Sequence, residues 1–216
     1  MEDYILNHID EEPYWLNDIY RDANLRLLYP RMVSGHLQGR ILKTLTQMIR
    51  PARALELGTF AGYSALCIAE GLDKGATLET IEISDELEDF IREHLAKSPF
   101  NDRINLHIGD AMEIVPRLHA EGGDWNMVFV DADKRQYPAY YEMLLGYLSP
   151  GGWMLVDNTL WNGVLEKISV QSPTTGKHDL QAVRIAEFNE LVRNDPRVEK
   201  VILPIRDGIT VIRKKL

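Results

Sequence analysis

Two acidic segments carry the residues best suited to chemistry: Phe129-Val130-Asp131-Ala132-Asp133-Lys134 and Val156-Asp157-Asn158. Asp131, Asp157 and Asn158 together offer three hard oxygen ligands. Such a set suits Mg²⁺, which keeps several waters and takes few protein ligands; Mn²⁺ or Ca²⁺ would tolerate the same oxygens. Neither a thiolate nor a histidine lies nearby in sequence, which argues against zinc. Lys134 beside such a cation would be pushed toward its neutral form and could accept a proton. The competing expectation is turn and capping chemistry for the acids and a solvated surface position for the lysine.

A second constellation lies upstream. Glu56-Leu57-Gly58-Thr59-Phe60-Ala61-Gly62-Tyr63-Ser64 runs from an apolar stretch through two glycines into a helical pattern. Glycines there let backbone approach a ligand closely. Glu82 ends the next apolar run, at about the separation from which an acid reaches ribose hydroxyls. The dinucleotide fingerprint needs a glycine where Phe60 stands, and no phosphate-binding lysine follows, which argues strongly against a pyrophosphate cradle. A cofactor carrying an amino acid and a sulfonium fits better, and S-adenosylmethionine is such a cofactor. Asp110 could accept from an adenine amino group while Ala111 allows close approach. Asp110 also reads as a helix N-cap, with Glu113 three residues on.

These residues need elements to position them. Residues 1–50 read as an N-terminal helical segment, with Leu16, Ile19, Tyr20, Ala23 and Leu27 on one face and Leu37, Ile41, Leu45 and Met48 on another. From residue 51 strands and helices alternate. Strands are expected at Ala52–Leu57, Thr77–Ile83, Ile104–Ile108, Met127–Val130 and Trp153–Val156. Helices are expected at Tyr63–Gly71, Asp85–Ala96, Ala111–His119, around Tyr140–Leu148, and at Leu180–Val192. Gly151-Gly152 reads as a turn, and Val198–Leu203 with Gly208–Arg213 as a terminal antiparallel hairpin. Strands joined by helices must be mostly parallel, which predicts a doubly wound α/β domain over residues 1–216. In such sheets ligands sit outside the carboxyl ends of the strands, where the acids above fall.

Composition agrees with one globular domain: 45% of the residues are hydrophobic and 26% charged. The net charge of −9 disfavours nucleic acid and anionic lipid as partners. Cys67 is the only cysteine, so no intrachain disulfide forms, and its apolar helical setting predicts a buried small hydrophobe. No signal peptide and no membrane-spanning run is legible, so a cytoplasmic location is expected. His36 and His178 read as surface or packing groups.

The chain resembles the cation-dependent O-methyltransferases of the caffeoyl-CoA and catechol type. The resemblance rests on Glu56 to Ser64, Phe129 to Lys134, and Asp157-Asn158-Thr159-Leu160-Trp161-Asn162-Gly163. It implies a Rossmann-like, seven-stranded methyltransferase sheet with an antiparallel last strand. It implies S-adenosylmethionine contacts at Val33, Glu56, Gly58, Ser64, Glu82, Asp110 and Ala111, with Asp131 at the cofactor as well as the metal. It implies metal ligands at Asp131, Asp157 and Asn158, and Lys134 as the group that deprotonates the accepting hydroxyl. It further implies a homodimer and a small-molecule acceptor pocket shaped by the N-terminal helices and the loop after Trp161, a residue that walls the pocket or packs the loop. In one departure, Gly35 in Val33-Ser34-Gly35-His36 stands where relatives often carry proline.

Together these features predict metal-assisted methylation of a catechol-like or phenolic hydroxyl. A free phenol has a pKa of about 10 and needs help to ionise. Asp133 would orient Lys134 or contact the cofactor. Rival readings are a transfer-RNA hydroxyuridine methyltransferase, which wants a basic rim, a nicotinamide-dinucleotide oxidoreductase, which the glycine pattern opposes, and a non-enzymatic binding protein.

Overall fold

The computed structural model of the protein describes residues 2–161, 165 and 177–216. Helices α1 (Glu2–Leu6), α2 (Tyr14–Arg26) and α3 (His36–Ile49) precede an alternating run. It comprises β1 (Arg53–Leu57), α4 (Tyr63–Gly71), β2 (Thr77–Glu82), α5 (Glu88–Ala96), β3 (Ile104–Ile108), α6 (Ala111–Gly122), β4 (Trp125–Val130), α7 (Tyr137–Tyr147), β5 (Leu148–Val156) and α8 (Lys177–Asn194). Strands β6 (Val198–Leu203) and β7 (Ile209–Lys214) close the chain. The sheet has seven strands in the order β3-β2-β1-β4-β5-β7-β6. Pairing is parallel for β1 with β2, β2 with β3 and β4 with β5, while β7 runs antiparallel to β5 and β6. This is the expected doubly wound α/β class with an antiparallel last strand.

The chain divides into two compact units, Met1–Ile114 and Val115–Leu216. In the first, β1 and α4 form the centre. Eight of the nine α4 residues are buried, so the helix is apolar all round because protein surrounds it. Helix α3 approaches it closely. A Cβ on Gly39 would meet Cys67 Sγ at 2.7 Å and Tyr63 Cε1 at 2.9 Å; one on Gly71 would meet the Lys43 carbonyl oxygen at 2.6 Å. Each fully buried Leu here contributes about 1.5–3 kcal/mol, and Leu42, Leu55, Leu57 and Leu66 are all fully buried. In the second unit Phe188 of α8 packs edge-on against Tyr137 and Tyr141 of α7, with centroids 5.7 and 5.8 Å away. Trp125, Phe129 and Ile185 complete that core.

Three expectations need correction. Tyr20, expected on one apolar face of α2 with Leu16, Ile19 and Ala23, is exposed while those three are buried. The buried face of α3 is Gln38, Gly39, Leu42 and Thr46 with Arg40, whereas Met48 is exposed. Close approach to α4 selects glycine at the contact, and Arg40 is buried because it pairs with Glu70 at 2.7 Å. Apolar spacing alone points one residue to the side. The Gly151-Gly152 turn lies inside β5: Trp125 pairs with Leu148 and Met127 with Trp153, so residues 149–152 bulge between the two pairs.

Candidate functional site

In the first unit, β1 delivers a buried glutamate. Glu56 is fully buried and its Oε2 accepts from Thr80 Oγ1 at 2.5 Å, while that hydroxyl also lies 2.6 Å from Thr59 Oγ1. The loop after β1 turns through left-handed backbone at Gly58 (φ 93°), Phe60 (φ 48°) and Gly62 (φ 83°). A non-glycine residue there carries strain, and Phe60 is held by its N–H donating to Glu82 Oε2 at 2.8 Å. The other oxygen of Glu82 accepts from Ser84 N at 2.9 Å. Two backbone donors thus fix a buried carboxylate at the tip of β2. A carboxylate has about four lone-pair positions, so capacity is left for a pair of vicinal hydroxyls. Phe60 was not foreseen as the residue that fixes Glu82, because the contact is made by its backbone N–H, which carries no sequence signal.

Ser64, in the first turn of α4, is buried. Asp110 caps α6: its Oδ1 accepts from Met112 N at 2.8 Å, with Ala111 buried beside it. Val33 and Ser34 are both buried, between a short 3₁₀ turn at Pro30–Met32 and α3. Gly35 adopts φ 80° at the N-cap of α3, a conformation closed to proline. His36 lies at the surface, bonded to the Asp10 carbonyl oxygen at 2.8 Å.

In the second unit, Asp131 follows β4 and its Oδ1 accepts from Lys134 Nζ at 2.6 Å, with both side chains half-buried. Lys134 Nζ also lies 5.7 Å from the ring centroid of Tyr137. Asp133 is engaged by Arg135. It caps the 3₁₀ turn that follows, accepts from Arg135 N, and pairs with the Arg135 guanidinium at 2.6 Å, which holds its carboxyl below the usual range. Asp157 is buried after β5, and its Oδ1 accepts from Asn158 N at 2.7 Å. Asn158 is left-handed (φ 61°), a conformation asparagine tolerates, and its Nδ2 donates to Asp207 Oδ2 at 3.5 Å.

Asp207 was missed at the sequence level. Its carbonyl oxygen also receives Leu160 N at 2.7 Å and Trp161 N at 3.3 Å, while Asn189 Nδ2 donates to the Thr159 carbonyl oxygen at 2.8 Å. The Asp157–Trp161 turn is therefore fastened from α8 and from the turn before β7. Trp161 is part-buried with φ 46°. Asn162, Gly163 and nearly all of the expected pocket loop from Val164 to Lys177 lie outside the described residues, as does the His178 side chain.

Burial first, then the charges of Asp131 and Asp157, push the Tyr137 phenol well above its ordinary value. Both carboxylates therefore act on one ring. An all-oxygen set of two carboxylates and an amide, with one carboxylate buried, fits a hard dication in donor chemistry.

Among the described residues one cluster of histidine and carboxylate side chains brings three potential ligands together, Asp22, Glu93 and His94, with atoms within 4.8 Å of one another. Glu93 there already pairs with Arg26 at 2.9 Å and Lys97 at 2.8 Å. Asp22 lies 3.6 Å from Arg21 and 3.9 Å from Arg26, so the group is an ion-pair network around a buried imidazole. Cys67 is fully buried, and burial pushes its thiol up, away from reactivity. No helix of the described residues is long and apolar enough to cross a membrane.

Comparison with known proteins gives a consistent picture. The sequence model of a family described as "O-methyltransferase" matches residues 7–215. Caffeoyl-CoA O-methyltransferase of Stellaria longipes is 30% identical over 186 residues, 85% of this chain and 76% of that protein. The mouse (Mus musculus) catechol O-methyltransferase domain-containing protein 1 is 34% identical over 179 residues, 82% of this chain and 66% of its own length. Among solved structures, TomG of Streptomyces achromogenes in complex with SAM superposes with a TM-score of 0.86 at 27% identity, covering 99% of this chain and 95% of its own. An O-methyltransferase from Bacillus cereus in complex with SAH superposes at 0.84 and 27%, covering 99% and 96%.

Proposed function

The chain belongs to the O-methyltransferase family, and from that premise we propose that it transfers the methyl group of S-adenosylmethionine to one hydroxyl of a small catechol-like acceptor, assisted by a divalent cation. The observation that carries the reading is the Asp131–Lys134 pair, closed at 2.6 Å, with Asp157 and Asn158 on the next strand tip of the same unit. The SAM- and SAH-bound relatives support the cofactor. The caffeoyl-CoA and catechol names of other relatives support the acceptor class.

When bound, the cofactor supplies an electrophilic methyl on a sulfonium, and a dication lowers the cost of an oxyanion. Glu82, fixed by two backbone donors, would hold the ribose hydroxyls. Gly58 leaves room for backbone to approach the cofactor, with Glu56, Ser64 and Val33 near its amino-acid part. Asp110 would accept from the adenine amino group, and Ala111 leaves space for the ring. Asp131, Asp157 and Asn158 would hold the cation, Mg²⁺ first and Mn²⁺ or Ca²⁺ as alternatives. Asp131 has enough lone-pair positions to serve both Lys134 and a cation. Lys134 would act as a neutral amine, with the cation in place of its own charge beside Asp131, and its Nζ would then take the proton of the accepting hydroxyl; Trp161 would border the acceptor. A homodimer belongs to the same reading, with family membership as its support.

Lys134→Ala tests the proton step. Turnover should fall by about 10²–10⁴-fold while SAH affinity by calorimetry stays at the wild-type value. Unchanged turnover would remove Lys134 from the chemistry.

A further inference from the structure

One buried side chain in the second unit touches both halves of the proposed hydroxyl-activating set, although it belongs to neither. Tyr137 is 1% exposed at the start of α7. Its hydroxyl donates to the main-chain carbonyl oxygen of Asp157 at 3.1 Å. The N–H of that same peptide unit, on Asn158, donates to Asp157 Oδ1 at 2.7 Å. The phenol therefore holds one end of a peptide plane whose other end holds the Asp157 carboxylate. Hydrogen bonds in series polarise one another in a buried setting. Asn158, which begins at this peptide plane, has the left-handed φ of 61° that asparagine tolerates.

The face of the same ring is 5.7 Å from Lys134 Nζ, within the range where a cation is attracted to an aromatic quadrupole. Lys134 in turn closes on Asp131 Oδ1. A single continuous path thus runs from Asp131 through Lys134 and Tyr137 to the 157–158 peptide and the Asp157 carboxylate.

We infer that Tyr137 is a positioning residue that sets the spacing between the proton-accepting lysine and the cation-binding turn Asp157–Asn158. The inference rests on the reading that Asp131, Asp157 and Asn158 hold a divalent cation. Tyr137 makes no contact with substrate in this scheme; it acts through the peptide plane and through Lys134. Removing its hydroxyl frees the plane to rotate and takes the buried Asp157 carboxylate out of its direction, while the ring keeps its place in the core against Phe188.

Tyr141 supplies the control. It lies one turn further along α7, is also buried, and its hydroxyl donates to Asp195 Oδ2 at 2.9 Å. Tyr141→Phe thus deletes a buried tyrosine hydrogen bond from the same helix without touching the acidic turn. The experiment measures Mn²⁺ affinity of the full chain by the paramagnetic resonance of free Mn²⁺, for wild type, Tyr137→Phe and Tyr141→Phe, below all three unfolding midpoints. The expected result is Mn²⁺ binding weakened about three- to tenfold in Tyr137→Phe, the scale of one lost buried hydrogen bond, and unchanged in Tyr141→Phe. SAH affinity should be unchanged in both. Tyr137→Phe binding Mn²⁺ within the error of wild type would overturn the inference, as would equal weakening in both variants, which marks a structural effect only. Wild type failing to bind Mn²⁺ would overturn the cation reading itself.

Discussion

Replacing Glu82 by glutamine tests how the first unit prepares for a cofactor. The wild-type carboxylate accepts from Phe60 N at 2.8 Å and Ser84 N at 2.9 Å in a site that is 6% exposed. Hydrogen bonds to a charged group are each worth about 1.5–3 kcal/mol. Glutamine keeps one acceptor oxygen, so one of the two bonds survives. At the other position an amide NH₂ would face a backbone N–H, two donors with nothing between them. Phe60 would then lose the contact that offsets its left-handed strain at φ 48°. The combined loss of about 2–4 kcal/mol falls on the stability of the loop, while SAH loses a charged acceptor worth about 1.5–3 kcal/mol, which corresponds to binding weaker by about 10- to 150-fold. Isothermal titration of SAH into both proteins reads this directly, with circular dichroism to show that the variant is folded. A folded Glu82→Gln protein that binds SAH within about threefold of wild type, well below the tenfold that 1.4 kcal/mol represents, would refute the assignment.

Two further outcomes follow from packing and burial. Gly71→Ala places a methyl 2.6 Å from the Lys43 carbonyl oxygen and 2.8 Å from Thr46 Cβ; with backbone unable to yield, urea unfolding should show a loss of about 1–3 kcal/mol. His94 is buried, and desolvation lowers its pKa below the ordinary value near 6.5. The unfolded chain therefore binds a proton that the folded chain refuses, so this histidine's contribution is fully present above about pH 6.5 and is lost as pH falls toward the folded pKa. Denaturation midpoints should decline over that interval, and His94→Phe should flatten the decline; an identical slope in the variant would contradict the burial account.

The sequence exposes some of this molecule and hides the rest for physical reasons. Helix Tyr63–Gly71 and strands Ile104–Ile108 and Val198–Leu203 were legible to the residue, because glycines, prolines and polar turns bracket them. The acids at the strand tips were legible because strand, turn and helix signals alternate around them. Asp207 was not: it reaches the Asp157–Trp161 turn from a segment far along the chain, and no periodicity encodes a contact between two turns. The buried face of α3 was misjudged because a close helix contact is made by glycine, whose value lies in the side chain it lacks. Asp131 and Lys134 stand three residues apart, a spacing visible in the sequence, but only the folded turn brings their charged ends to 2.6 Å. The proposed link through Tyr137 was hidden for a similar reason: its partner is a backbone carbonyl, which any residue would provide.

The central claim is metal-assisted methyl transfer, and the most direct measurement is transfer from S-adenosylmethionine to a panel of small catechols, before EDTA, after it, and after Mg²⁺ is restored. The account predicts transfer that EDTA abolishes and Mg²⁺ rescues. Transfer that proceeds undiminished in EDTA would contradict it.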